Sequence, residues 1–403
     1  MQNQDLWQIE KMKDTAYKKT VAACFIGFVS QAIAVNFPPL LFLTFHNTYN
    51  IPLEKITFLV IVNFITQLIT DLVASKYAKK VGYRTCLVLC HALCGTGLIL
   101  MAFLPDVLNP LTALIIATCV YAVGSGLLEV LLNPVIEACP TKNKAGIMSI
   151  MHSFYCWGVV MVVLISTAFF AGMGIGCWKI VTCIWSVIPF ANAVFFSTVP
   201  IYPIAEETDD RANYKELFSQ KNFVIIMCIM VCAGASELTV GQWASTFVED
   251  GLKLNKSMGD LIGVCGFALC MGIARTLYGK YSERISLRAT LIASAVLCVI
   301  SYLLIGLAPH PALGLLGCIL CGLSVGMFWP GTISMASERI ESGGTTMYAL
   351  CALGGDTGCT TGPALAGFMM GILGDNLRLG ILCSIIFPML MILGLVLLGK
   401  KNK

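Results

Sequence analysis

The sequence predicts an all-α membrane protein in which twelve transmembrane helices form two pseudo-symmetric six-helix bundles. Of its 403 residues, 57% are hydrophobic and only 12% are charged, and the mean hydropathy is +0.83. A soluble domain carries about 25% charged and about 45–50% apolar residues, so a single core could not bury this much apolar surface. Disorder is excluded, because disordered chains combine low hydrophobicity with high charge. A bilayer is therefore the predicted environment.

Twelve apolar runs are long enough to cross a membrane, which takes about 20 mostly apolar residues. Helices are expected because every backbone polar group must be paired inside lipid, and the runs are far longer than the strands of a membrane barrel. The predicted spans are 20–45, 55–77, 85–104, 110–137, 147–171, 178–200, 222–248, 258–281, 287–308, 312–336, 346–373 and 378–398.

Lysine and arginine are distributed unevenly between the predicted loops. Of the 26, 20 lie in the two tails or in and beside the loops after spans 2, 4, 6, 8 and 10, while five lie on the other side. Arg275 falls inside span 8. Because cytoplasmic loops collect positive charge, both termini are predicted to be cytoplasmic.

An internal duplication is predicted from repeated segments. Residues 76–84 (KYAKKVGYR) and 280–288 (KYSERISLR) align without a gap at an offset of 204 residues, and Pro134 and Pro330 repeat at an offset of 196. The predicted organisation is an N-tail at 1–19, a bundle at 20–200, a linker at 201–221, a bundle at 222–398 and a C-tail at 399–403.

Ionisable side chains inside the spans are the candidate functional groups, because burying them in a membrane is costly. The acidic ones are Glu129, Glu237 and Asp356. Glu129 and Asn133 share one helix face, and Pro134 loosens the helix there by removing a backbone donor. A carboxyl group in such a place can hold a proton in one conformation and release it in another. The alternative is a structural Glu paired with a basic residue.

Further candidates lie in spans 5, 7, 10 and 11. Asp356 stands among the glycines of Gly354–Gly358, which predicts a broken helix suited to a cation or a sugar hydroxyl, or a flexible gating point. His152 and Tyr155 share a face of span 5, where a lone His is more often structural. Three tryptophans could stack on a sugar ring or serve as packing anchors: Trp157, Trp243 and Trp329.

A cytoplasmic gate is predicted from charges near the cytoplasmic ends of the spans. Such charges could pair in one state and separate in the other, or could do no more than set topology. The gate candidates are Asp71, Arg84, Arg275, Arg284, Glu137 and Glu338.

Three motifs resemble the fucose/proton symporter family of the major facilitator superfamily. They are GSGLLEVLLNP at 124–134, GASE at 234–237 and HSFYCWG at 152–158. The resemblance covers nearly the whole chain. It implies the major facilitator fold, the plasma (inner) membrane of a bacterium, and a role for Glu129 in proton and sugar handling. Asn36 stands where the family has an essential Asp, and an amide cannot titrate.

The predicted function is secondary active transport by alternating access, with uptake of a sugar or similar small polar solute coupled to H⁺. Proton-antiport efflux of drugs or metabolites is the alternative. An intramembrane enzyme is disfavoured, because no metal-binding His-Glu-x-x-His occurs, and ATP-driven transport is unsupported, because no phosphate-binding glycine loop occurs. No nucleic acid is expected, since the basic residues are dispersed. No metal is expected, since no CxxC pair has a matching CxxC or HxxxH, and no cofactor is expected. The protein is expected to be a monomer in the lipid bilayer.

Overall fold

The structure, a computed structural model, describes residues 2–204, 214–252, 260–340, 344–374 and 376–399. Within these ranges the chain is helical and contains no strand. The α-helices are α1 (Gln2–Leu40), α2 (Phe42–Tyr49), α3 (Leu53–Val81), α4 (Tyr83–Phe103), α5 (Pro110–Ala138), α6 (Lys144–Met173), α7 (Trp178–Thr198), α8 (Tyr214–Ser219), α9 (Lys221–Leu252), α10 (Gly266–Tyr281), α11 (Leu287–Leu307), α12 (Pro311–Val325), α13 (Phe328–Arg339), α14 (Gly344–Ile372), α15 (Leu377–Cys383) and α16 (Ile386–Leu397).

Every predicted span falls on helix in the described ranges, and three spans are divided into two helices. Span 1 is divided into α1 and α2 just after Pro38 and Pro39, and the Leu41 amide donates to the Pro38 carbonyl at 3.0 Å. Spans 10 and 12 are divided into α12 and α13 and into α15 and α16. Span 8 begins with a π-helical turn at Asp260–Cys265 before α10; its first two predicted residues, 258 and 259, lie outside the described ranges.

The helix surfaces suit a lipid environment. Among the described residues, ten helical segments are long and apolar enough to cross a membrane. Large apolar side chains are exposed along them, including Val194 and Phe368 at 68% each. Water would penalise so much exposed apolar surface, whereas lipid tails are themselves apolar. The chain is therefore a multi-pass membrane protein.

The described chain forms two compact units. Unit 1 comprises 1–142 and 164–206, and unit 2 comprises 143–163 and 207–403, so that α6 is divided between them. The predicted boundary in the linker at 201–221 stays a prediction. Residues 205–213 of that linker, residue 1 of the N-tail and residues 400–403 of the C-tail lie outside the described ranges.

Close helix crossings in unit 1 depend on glycines and one buried polar tie. A Cβ on Gly124 would lie 2.6 Å from the Cys90 carbonyl oxygen, so α4 and α5 meet where a side chain would not fit. Asn192 on α7 donates to the Ala23 carbonyl at 3.0 Å and lies 2.7 Å from His91 Nε2. This tie joins α1, α4 and α7.

In unit 2 the glycine run around Asp356 serves helix packing. A Cβ on Gly358 would lie 2.0 Å from the Val231 carbonyl oxygen, and one on Gly234 would lie 2.1 Å from the Gly355 carbonyl oxygen. The predicted break at 354–358 is wrong, because α14 runs unbroken from Gly344 to Ile372. The glycines let the α14 and α9 backbones approach each other, and this packing supports the helix that they would otherwise weaken.

Each unit contains one arginine of the repeated segment in the same role. Arg84 Nη1 donates to the Phe196 and Ser197 carbonyls at 3.0 and 2.8 Å, at the end of α7. Arg288 Nη2 donates to the Leu395 carbonyl at 3.0 Å, near the end of α16. A cation at unpaired C-terminal carbonyls is favourable. The shared contact supports duplication, and it ties Arg84, a predicted gate residue, to a helix end within its own unit.

Candidate functional site

The candidate site of unit 1 is built around Glu129 on α5. Its side chain is buried, at 8% exposed, and its Oε2 atom accepts a hydrogen bond of 3.0 Å from Gln31 Nε2 on α1. Gln31 is also buried, at 5% exposed. A charged carboxylate is costly away from water unless donors are aimed at it, and the Gln31 amide supplies one such donor without supplying a charge.

Asn133 and Asn36 bond to the backbone of their own helices. Asn133 is fully buried and donates to the Glu129 backbone carbonyl at 2.7 Å. This bond lies beside Pro134, where the helix lacks one backbone donor. Asn36 is half-buried and donates to the Ala32 carbonyl at 3.0 Å. The structure thus brings Asn133 to Glu129 through the main chain.

A row of uncharged polar side chains continues from Glu129 onto α3. Ser125, one helical turn before Glu129, accepts from Gln67 Nε2 at 2.8 Å, and Asn63 Nδ2 donates to Gln67 Oε1 at 3.2 Å. Sequence reasoning missed Gln31, Asn63 and Gln67 because it started from ionisable groups, aromatic side chains and the family motifs, and did not search the spans for amides. The detectable signal was a pair of amide residues four apart inside an apolar run, since such residues share a helix face.

The candidate site of unit 2 is an ion pair between Glu237 on α9 and Arg275 on α10. Glu237 Oε2 lies 3.3 Å from Arg275 Nη2, and their side chains are 17% and 3% exposed. The sequence predicts a gate role for Arg275 and a binding role for Glu237. The structure brings these two side chains together, so a change at either one affects the other.

Arg275 also holds two other segments of unit 2. Its Nε donates to the Gly326 carbonyl, between α12 and α13, at 2.8 Å. Its Nη1 donates on α6 to the His152 carbonyl at 3.1 Å and to Cys156 Sγ at 3.3 Å. Removing one partner of a buried pair leaves the other charge uncompensated. Arg275 is therefore a structural centre of unit 2 and fixes the position of Glu237.

The three candidate tryptophans differ in their contacts. Trp157 Nε1 donates to Thr276 Oγ1 at 3.2 Å, which packs its ring on α10. Trp329 is buried, and a Cβ on Gly355 would lie 2.2 Å from its ring. Trp243 Nε1 is buried without a hydrogen-bond acceptor in the described part of the chain. The contacts of Trp157 and Trp329 are packing contacts, whereas Trp243 keeps a donor for another group.

The remaining candidates occupy varied surroundings. Asp356 and His152 are buried at 5% and 2% exposed, and Tyr155 is half-buried. Among the gate candidates, Asp71 is 1% exposed, Glu137 is half-buried, and Arg284 and Glu338 are exposed. In the described ranges no group of three or more His, Cys, Asp or Glu side chains is placed to hold a metal ion.

Comparison with known proteins identifies the family. The Major Facilitator Superfamily model matches residues 20–268 and 252–403, so the chain belongs to that superfamily. This confirms the predicted superfamily and fold, and places the chain among transporters rather than enzymes. No curated protein sequence matches it.

Solved structures share the fold at low sequence identity. The E. coli fucose:proton symporter FucP is 13% identical, with a TM-score of 0.78, over 96% of this chain and 100% of that one. The proton:xylose symporter XylE, bound to 6-bromo-6-deoxy-D-glucose, is 12% identical, with a TM-score of 0.78, over 94% and 95%. The human organic anion transporter MFSD10 is 13% identical, with a TM-score of 0.69, over 95% and 99%.

Proposed function

We propose that the chain is a proton-coupled importer of a sugar or similar small polar solute that works by alternating access, with Glu129 as the proton-carrying group. The observation that carries this proposal is the contact between the buried Glu129 carboxyl and the neutral Gln31 amide. A coupling group must gain and lose a proton during each cycle. The proposal is that the Glu129 carboxyl gains and loses this proton in a membrane interior that holds few other ionisable groups.

The chemistry of unit 1 supports a hydroxyl-rich solute. Gln31 bonds to Glu129, and Ser125, one helical turn away, is joined by hydrogen bonds to Gln67 and Asn63; these amides and this hydroxyl are all buried. Such groups hydrogen-bond to hydroxyls without requiring a charge on the ligand. Two of the structural relatives are named as symporters of protons with fucose or xylose, so neutral sugars are the first solutes to test.

The orientation in the membrane is part of the proposal. The excess of Lys and Arg at both tails and in the alternate loops, 20 against five, supports cytoplasmic termini. The proposed location is the plasma membrane of a bacterium, and the proposed state is a monomer. Reporter fusions at each terminus test the orientation: fusions active only in the periplasm would overturn it.

The test of the function is uptake by proteoliposomes that contain the full chain. A panel of radiolabelled neutral sugars is offered with an inside-alkaline pH gradient, with a Na⁺ gradient, or with neither. One sugar should accumulate above its external concentration only with the pH gradient, and its addition should make the external medium more alkaline. Acidification of the external medium by the solute would support antiport and contradict import.

The decisive variant is Glu129→Gln, which keeps the shape of the side chain and cannot release a proton. Gradient-driven accumulation should be lost, while exchange of labelled for unlabelled sugar continues. The matched control is Asp106→Asn, since Asp106 is a carboxylate that lies near the end of α4, next to Lys179. Full accumulation in the Glu129→Gln protein would remove Glu129 from the coupling role.

A further inference from the structure

Among the described residues, none donates a hydrogen bond to the side-chain oxygen of Gln31, the buried amide beside Glu129. Gln31 Nε2 donates to Glu129 Oε2 at 3.0 Å, while Gln31 Oε1 is buried and accepts no hydrogen bond from the described residues. Buried polar atoms are nearly always paired, so an unpaired one calls for an explanation. Here the unpaired atom belongs to the same amide that holds the proposed proton carrier.

We infer that Gln31 is a positioning residue that bonds to Glu129 in both of its protonation states by turning its amide. When Glu129 is ionised, the Gln31 N–H donates to the carboxylate, as the structure shows. When Glu129 takes a proton from the aqueous phase to which it is open, an O–H bond forms on the carboxyl. The amide then rotates, and Gln31 Oε1 accepts that O–H. This inference rests on the proposed function of Glu129.

The chemistry of an amide suits this role better than that of a charged side chain. Gln offers both a donor and an acceptor at the end of one side chain, whereas Lys and Arg offer donors alone. In each protonation state one atom of the amide is bonded and the other is not. The amide therefore favours the ionised state of Glu129 far less than a cation would.

Other titratable groups near Glu129 must be separated in any test. Helices α1, α3 and α4 pack against α5. His91 lies with Nδ1 2.6 Å from the Leu87 carbonyl and Nε2 2.7 Å from the Asn192 amide nitrogen, which assigns a neutral ring with its proton on Nδ1. Among the side chains of these four helices that the structure describes, the other buried titratable ones are Cys24 on α1, Asp71 on α3, Cys86, Cys90 and Cys94 on α4, and Tyr121 on α5.

Apart from Asp71, the charged side chains that the structure describes on these helices are more exposed than Glu129. Arg84 on α4 is exposed, and Glu137 on α5 is half-buried. The exposed charged side chains that the structure describes on α1 and α3 are Lys18, Lys19, Lys55, Lys76, Lys79 and Lys80. Asp71 on these helices and Asp356 in unit 2 are thus buried carboxyls that a spectroscopic test must distinguish from Glu129.

The experiment is a pH titration of the purified full-length protein in liposomes, followed by infrared spectroscopy. The stretch of a protonated carboxylic acid is recorded, and subtraction of the Glu129→Gln spectrum isolates the Glu129 band from that of Asp71. The variants are Gln31→Met, which removes donor and acceptor, and Gln31→Lys, which keeps only a donor. Gln67→Met is the matched control, because Gln67 is a similarly buried amide that bonds to Ser125.

In the Gln31→Met variant, the midpoint of the Glu129 titration should move to higher pH by about one unit, because a hydrogen bond to the ionised carboxylate is stronger than one to the neutral acid. The frequency of the Glu129 acid band should change in the same variant, since the acid O–H loses its acceptor. The band should disappear in Gln31→Lys, and the Gln67→Met midpoint should stay at the wild-type value. Circular dichroism confirms that each variant is folded.

The outcomes separate the role of Gln31 from that of Glu129. An unshifted midpoint or an unchanged acid-band frequency in Gln31→Met would overturn the role of Gln31 alone. A Glu129 acid band of wild-type intensity in the Gln31→Lys variant would also overturn the role of Gln31. A wild-type protein without any Glu129 acid band would overturn the proposed function as well.

Discussion

Each unit holds a glutamate that is at most 17% exposed, and the two glutamates differ in the charge of a side chain that bonds to them. Glu129 in unit 1 bonds to the neutral amide of Gln31, whereas Glu237 in unit 2 bonds to the guanidinium of Arg275. A fixed cation stabilises the ionised carboxylate and opposes its protonation, whereas a neutral amide favours the ionised form much less. The difference indicates that a buried acid must be judged by its bonded partner as well as by its burial, because a cation and a neutral amide act differently on the ionised state.

The repeat places this difference in context. Arg84 and Arg288 occupy equivalent positions and make equivalent contacts with helix ends. Asp71 and Arg275 are also 204 residues apart, and they are buried charges of opposite sign. The repeated segments thus share the contacts that hold each unit together, while the buried charges differ.

The largest expected effect comes from breaking the unit 2 pair. Arg275→Gln should lower the free energy of unfolding by about 3–5 kcal/mol, because Glu237 would remain buried without its cation. Thermal unfolding in detergent measures the loss. The double variant Arg275→Gln/Glu237→Gln should recover part of it, and the exposed Arg284→Gln is the control. Equal stability of Arg275→Gln and wild type would show that the pair is dispensable.

The next expected effect contrasts the two glutamates directly. Glu237→Gln should destabilise the protein by about 3 kcal/mol, because the buried Arg275 cation would lose its opposite charge. Glu129→Gln should change stability by less than about 1 kcal/mol, since an amide can still hydrogen-bond to Gln31. The same unfolding measurement applies to both variants. Similar losses from the two substitutions would contradict the comparison.

A smaller loss of stability is expected from substituting the arginines that bond to helix ends. Arg84→Gln and Arg288→Gln should each cost about 1 kcal/mol or less, because both contacts are near the surface and partly solvated. The prediction that matters is the similarity of the two losses, measured by thermal unfolding with Lys80→Gln as a control. A large loss for only one arginine would mean that the repeat does not preserve their role.

The smallest expected effect concerns a surface cluster in unit 1 that includes the half-buried Tyr49. Tyr49 Oη donates to Asp106 at 2.9 Å, and Lys179 pairs with the same carboxylate. Burial, and then the hydrogen bond to Asp106, raise the pKa of Tyr49 above its usual range. The raised pKa favours the neutral phenol, so its contribution to stability is present below the unfolded-state pKa and is lost as pH rises through the folded-state value.

Asp106→Asn should therefore lower the pH at which Tyr49 ionises, which the ultraviolet absorbance of tyrosinate measures against a Tyr49→Phe reference. The free energy of unfolding at neutral pH should change by no more than a few tenths of a kcal/mol, since exposed ion pairs contribute little. An unchanged titration of Tyr49 would show that Asp106 does not influence it.

Much of the fold could be predicted from sequence, because hydropathy is a local property that each run of residues carries by itself. The same argument located Glu129, Glu237 and Asp356 as acids inside the spans. The glycines beside Asp356 led to the wrong prediction of a broken helix, because glycine weakens an isolated helix. Against α9, however, these glycines permit a close crossing that no larger residue allows. A local rule could not anticipate that second helix.

The sequence by itself determined that this chain is embedded in a membrane, crosses it as helices, and contains a repeated segment. Only the tertiary structure decided which group meets which acid: Gln31 and Glu129 are 98 residues apart, and Glu237 and Arg275 are 38 apart. The physical reason is that helical periodicity shows which residues share a face, whereas the pairing of faces depends on how whole helices pack.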